Sequence, residues 1–178
     1  MKTILIAGVA ALVAIAAPAF AQSVPEKTGV NSALGIAPKT QDFVTEAAQS
    51  DMLEIESSKL ALTKADSDKS KQFADRMIKD HTETSTELKG LIAAGKVQVN
   101  LPASLDKAHK DKLDKLAKLS GKDFTREYND LQLAAHKDAV SLFERYGKSG
   151  ENQALKAFAS KHLPHLQAHL MMAQDLNK

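Results

Sequence analysis

Six residues of this 178-residue chain have the chemistry of a metal site and recur at helical spacing: Glu54, His81, His136, His162, His165 and His169. Imidazole is the commonest metal-ligating side chain and titrates near neutrality, so the distribution of the histidines is the first feature to interpret. Three of the six histidines lie in the stretch from His162 to His169, at separations of three and four residues. Such separations place side chains on one face of a helix, provided that the helix continues through Pro164. His81 sits at the centre of an apolar stripe with Met77 and Ile78, and His136 lies toward the edge of another with Val140 and Phe143. Glu54 falls between Ala47 and Ala61 on the inner side of its helix, whereas Glu56 falls opposite. Asp80, next to His81, is assigned to solvent by the same geometry, and His109 lies among lysines.

The elements that would carry these residues are helices. Thr40 is placed to cap a helix running to about Ala65, with Phe43, Val44, Ala47, Ile55, Ala61 and Leu62 as its apolar face. Asp66-Ser67-Asp68 makes a turn and a new cap, and a second stripe from Phe73 to Ile92 stops near Gly95. A crossover with a short helix over Leu105 to Leu119 follows. Asp123 is placed to cap a third long helix with Phe124, Tyr128, Leu131, Ala135, Ala139, Leu142, Phe143 and Tyr146 inward. A fourth begins near Glu151, and Pro164 either kinks or breaks it. No region alternates with period two for long enough to make a sheet. The pattern predicts an all-α fold, a ferritin-like four-helix bundle in which two antiparallel hairpins are joined by a long crossover.

Composition sets the setting. Lys2, the apolar run from Ile4 to Ala17 and Pro18-Ala19-Phe20-Ala21 read as a signal peptide over residues 1–21, so the protein is expected to be exported to the periplasm or beyond. Residues 22–39, rich in proline, glycine and serine, read as a flexible leader, and residues 40–178 as one domain. There is no cysteine, which excludes disulfides, thiolate metal sites and cysteine nucleophiles. The 24 basic and 22 acidic residues are interleaved, a pattern that argues against nucleic-acid binding. No segment of the mature chain is apolar enough to span a membrane. The partners left open are an envelope protein or the cell wall, and nothing in the sequence sets an oligomeric state.

Residues that carry a family pattern run through almost the whole domain. Asp42-Phe43-Val44 with Ala47-Ala48, Glu54-Ile55-Glu56, Phe73-Ala74 with Met77 and Asp80-His81, Leu119-Ser120-Gly121 with Phe124 and Tyr128, His136, Leu163-Pro164 and His169-Leu170 resemble domain-of-unknown-function family 4142. The resemblance implies an exported bacterial protein with a ferritin-like four-helix fold and brings no activity with it. It favours Glu54, His81, His136, Pro164 and His169 as shared positions and leaves His162 and His165 as more individual to this chain. Ferritin-like di-iron proteins use Glu-x-x-His on two of their helices. Here Ile78, Leu133 and Leu166 stand where those glutamates would be, so a di-iron centre is not expected.

Convergence of one candidate from each long helix would create a nitrogen-rich site with a single carboxylate: Glu54, His81, His136 and His165 or His169. Such a donor set suits one zinc, copper, nickel or iron ion and does not suit calcium or magnesium. Two alternatives remain at this level. One is a metal-free polar histidine core in an envelope or stress-related protein. The other is an enzyme using the ion and Glu54, for which no nucleophile elbow, phosphate loop or other catalytic motif gives support.

Overall fold

The computed structural model describes Ser23 and residues 29–178, and its regular structure there is helical apart from one isolated bridge between Ala65 and Gly121. The expected signal peptide and most of the first part of the leader lie outside the described residues. A four-residue helix α1, Val30–Ala33, precedes α2 (Thr40–Lys64), α3 (Asp68–Ala93), α4 (Lys107–Ala117), α5 (Gly121–Ser149) and α6 (Gln153–Leu176). No described helix is long and apolar enough to cross a membrane.

Local chemistry accounts for most of the boundaries. Ser67 caps α3 by accepting from the Ser70 amide, Asp106 caps α4 through the His109 amide, and Asn152 caps α6 through the Leu155 amide. Two expected caps fall elsewhere. Thr40 is already the first residue of α2, and its hydroxyl is paired with the Tyr146 hydroxyl at 2.8 Å. Asp123 lies in the first turn of α5, behind Ser120 as N-cap, where its charge still favours the positive helix end. Gly95, at φ 70°, supplies the left-handed residue that turns the chain out of α3. α6 runs unbroken through Pro164, so the proline forfeits one backbone hydrogen bond without ending the helix.

The four long helices pack as two close pairs, α2 with α3 and α5 with α6, and the pairs meet along the α2–α5 and α3–α6 seams. The connections within the pairs are short, which makes each pair antiparallel. The crossover from α3 to α5 lays α4 over α2 and α5, with Leu116 fully buried beneath it.

Two apolar clusters fill the interior. One groups Phe43, Leu142, Phe143, Tyr146, Leu155 and Phe158, with the Phe43 and Tyr146 rings stacked at 4.1 Å. The other groups Ala61, Phe73, Met77, Leu116, Phe124, Tyr128 and Ala173. Between these clusters, in the order of residues along each helix, comes a layer of buried polar side chains: Asp51, Glu54, Ser57 and Ser58 on α2, His81 on α3, Gln132 and His136 on α5, and His169 on α6. Leu62, expected on the inner face of α2, is 40% exposed because that face is occupied by Ser58 and Ala61 instead.

Candidate metal centre

Each long helix brings polar residues to this layer by continuing its apolar stripe. On α2 the inner face reads Ala47, Asp51, Glu54, Ser58 and Ala61; on α3, Ala74, Met77, His81, Thr84 and Leu88; on α5, Tyr128, Gln132, His136, Ala139 and Phe143; on α6, Phe158, His162, Leu166, His169 and Ala173. All of these residues are buried. Steps of three and four keep successive members on one side of a helix, so the same geometry that builds the core delivers the polar groups.

His81, His136 and His169 meet. Their ring centroids are 5.6 Å apart for His81 and His136, 5.7 Å for His81 and His169, and 5.5 Å for His136 and His169. One ring nitrogen from each lies within 4.8 Å of the others, and all three side chains are buried. Even at that limit an ion in their plane would sit about 2.8 Å from each nitrogen, so reaching a bond of about 2.1 Å requires each ring to move by roughly 0.7 Å at most.

The other nitrogen of each ring is tied to an oxygen. His81 Nδ1 pairs with Asp51 Oδ1 at 2.8 Å, and Asp51 Oδ2 also accepts from the Ser85 hydroxyl at 3.0 Å. His136 Nδ1 donates to the Gln132 carbonyl at 2.9 Å, and His169 Nε2 pairs with Asp80 Oδ2 at 2.9 Å. Carbonyl and carboxylate oxygens accept, so these contacts place a hydrogen on the anchored nitrogen and, in the neutral ring, a lone pair on the other. His81 Nε2, His136 Nε2 and His169 Nδ1 are buried without a hydrogen-bond partner, as are both Glu54 carboxylate oxygens and Gln132 Oε1. Imidazoles oriented by carboxylates or carbonyls through their second nitrogen are the usual outer shell of a metal site.

Glu54 stands beside the triad but outside the group of three, its Oε1 4.0 Å from His136 Nδ1, the nitrogen tied to the Gln132 carbonyl. Burial raises its pKa to about 7, although the charge of His81 and the Gln132 amide dipole pull the other way. Burial also disfavours the charged form of His136 and, with the charge of His81 adding to it, holds the pKa at about 3. His169 is held at about 4 by the same two causes, against the opposing pull of Asp80. His81 goes the other way: burial opposes its charge, but the hydrogen bond and charge of Asp51, helped by Glu54 and Asp80, outweigh that and raise its pKa. Near neutral pH His136 and His169 are therefore neutral imidazoles, and His81 is the ring whose charged form the layer favours.

The remaining candidates lie outside this cluster. His165 is exposed on α6, and its ring is 6.4 Å from that of His162. His162 is buried, but its Nε2 is paired with Glu87 Oε2 at 2.9 Å. His109 is bound to its own helix cap, Asp106, at 2.9 Å. Asp80, assigned to solvent from the sequence, instead orients His169: one residue before His81 is a rotation of about 100°, which turns it away from the core centre and toward α6. Asp51 was missed, although its place three residues before Glu54 and four after Ala47 puts it on the same face.

Fold and site together define the class: an all-helical protein with a buried three-histidine cluster, backed by carboxylates, between four long helices. Within that class the chain belongs to the family described as a domain of unknown function (DUF4142), whose model matches residues 25–176. No curated protein and no solved structure gives a match.

Proposed function

We propose that this protein is an exported, periplasmic protein of ferritin-like fold that holds one transition-metal ion through His81, His136 and His169, with Glu54 as the fourth ligand. The observation that carries the reading is the set of buried, unpartnered acceptors. One nitrogen of each of the three imidazoles faces a common space without a hydrogen-bond partner, the second nitrogen of every imidazole is engaged by an oxygen, and the buried Glu54 carboxylate stands beside them. A cation satisfies such a set, and the proton on His81 takes its place when the ion is absent. Three neutral nitrogens and one carboxylate suit zinc, copper, nickel or iron.

Equilibrium dialysis of the demetallated full chain against each of these ions, with elemental analysis of the protein, tests the reading. One ion per chain is expected for at least one metal, and none for His81→Ala. Absence of stoichiometric binding by the folded wild-type protein would leave the polar layer as a metal-free histidine core and refute the proposal.

A further inference from the structure

A fully buried ion needs a way in, and the seams between the four helices are not equivalent. The α2–α3 and α5–α6 pairs pack closely, and α4 covers the α2–α5 seam. The pocket of about 280 Å³ on that side touches none of His81, His136, His169 or Glu54. The α3–α6 seam is the loosest of the four, and no helix among the described residues covers it. A pocket of about 80 Å³ opens there, and its wall includes both His81 and His169 together with Asp80, Glu83, His162 and His165. Water-sized species fit in this volume, and so does a partly dehydrated ion.

The seam has the chemistry of a cation path. Glu83 and His165 are exposed at its mouth, and each offers a ligand atom of the type used within. Asp80 stands one step further in and bonds directly to His169, one of the triad, through its Oδ2. Acidic charge from Asp80, Glu83 and Glu87 along α3 is only partly offset by Arg76, 3.2 Å from Asp80, and Lys161, 2.6 Å from Glu87. Pro164 precedes His165 on α6, and its missing amide leaves the Ser160 carbonyl without its helical donor and makes local bending of the helix less costly.

We infer that the α3–α6 seam is the loading route of the metal centre, with Glu83 and His165 as transient outer ligands for a divalent transition-metal ion and Asp80 as the relay to His169. The inference rests on the metal reading of the triad. It gives His165 a role at the entrance, distinct from that of a resident ligand.

Stopped-flow loading of the demetallated full chain with Co²⁺, followed by the visible absorption of the bound ion, separates the two levels. Glu83→Lys, which reverses a charge, is expected to slow association about tenfold or more, the scale of local charge steering, and His165→Ala, which removes a transient ligand, to slow it measurably; both positions are exposed, and neither variant is expected to change the equilibrium affinity by more than about threefold. His136→Leu is expected to abolish binding at any rate. Wild-type association rates in both mouth variants, with Co²⁺ binding intact, would overturn the route and leave the metal centre standing. A loss of affinity in His165→Ala carried by faster dissociation would make His165 a resident ligand and also overturn it. No wild-type binding of Co²⁺ or of any of zinc, copper, nickel and iron, or unchanged Co²⁺ binding in His136→Leu, would remove the metal centre itself.

Discussion

Replacing His136 by Leu should stabilise the metal-free protein and destabilise the metal-loaded one. His136 is 1% exposed, and its Nε2 has no partner. A buried acceptor left unsatisfied costs about 1–3 kcal/mol, and leucine of similar volume removes that cost. The substitution also forfeits the 2.9 Å bond to the Gln132 carbonyl, worth about 0.5–1.5 kcal/mol, but that carbonyl lies within α5 and keeps its helical donor. The repulsion between His136 and the charged His81 disappears as well. The balance in chelator is neutral to about 2 kcal/mol in favour of the variant. With a bound ion the sign reverses. At a free-metal concentration 100 times the Kd the wild type gains about 2.7 kcal/mol, which for a domain of this size raises Tm by about 5–11 °C, and the variant gains nothing. Urea denaturation of both proteins, in chelator and in saturating metal, measures all four stabilities. Crossed stability orders are the signature of a binding site that costs the empty fold stability. If His136→Leu instead loses more than about 1 kcal/mol in chelator and metal leaves the wild type unchanged, the histidine is a satisfied structural core residue and the reasoning fails.

Three other outcomes follow from the electrostatics. Between pH 6.5 and 4.5, unfolding of the metal-free protein takes up protons on His136 and His169, whose folded pKa values are lowered to about 3 and about 4, and releases one from Glu54, whose folded value is raised to about 7. His81, with its pKa raised, is protonated in both states across that window, so the unfolded state binds about one proton more. Stability therefore falls as pH falls, by about 3 kcal/mol over the two units; chelator-treated protein equally stable at both pH values would contradict the assigned shifts. Metal binding near pH 7 should release protons from His81 and from the roughly half of Glu54 that is protonated there, and calorimetry in buffers of different ionisation enthalpy reads the number directly. A value near zero would mean that the triad is unprotonated before the ion arrives. Asp51→Asn keeps an oxygen for His81 but removes the charge, and metal affinity should drop about 10- to 100-fold with stoichiometry unchanged, as titration against a competing chelator would show.

The all-helical architecture is legible in the sequence because the apolar period is unbroken: Phe73, Met77, Leu88 and Leu91 already define one side of α3, and Phe124, Tyr128 and Phe143 one side of α5. His81, His136 and His169 could be placed on inner faces by the same arithmetic. What periodicity cannot supply is the direction in which a neighbouring residue reaches across to another helix. Asp80 lies about 100° from His81 and so reads as outward, yet α6 stands in that direction and His169 meets it at 2.9 Å. His165 shows the converse. It is one turn from His169 along α6, but the layer is only one turn thick, and Leu166 takes the intervening inward position with 5% exposure while His165 is left outside. The helix caps differ from the local pattern for a related reason. Thr40 and Asp123 have the side chains of N-caps, but Thr40 is engaged by Tyr146 106 positions away, and no local pattern predicts that pairing.

The polar layer lies between two apolar clusters, and its position bears on why α2 is so weakly amphipathic. The inner face of α2 must pack against Phe143 and Tyr146 at one end and Tyr128 at the other, so Phe43, Val44 and Ala61 are apolar there. Between those ends Asp51, Glu54, Ser57 and Ser58 replace four positions that could have carried leucine or alanine. Ser58 is explained by its 2.9 Å bond to the Tyr128 hydroxyl, and Ser57 by the Gln132 amide at 3.2 Å. Asp51 is explained by His81. Glu54 has the weakest such account, since only the Gln132 amide favours its charge from within hydrogen-bonding range and burial still raises its pKa to about 7. A glutamate that served only the fold would be replaced by glutamine or methionine with a gain of about 1–3 kcal/mol. Its presence is accounted for if its partner is not part of the chain, and the cation proposed for the three imidazoles beside it would be that partner.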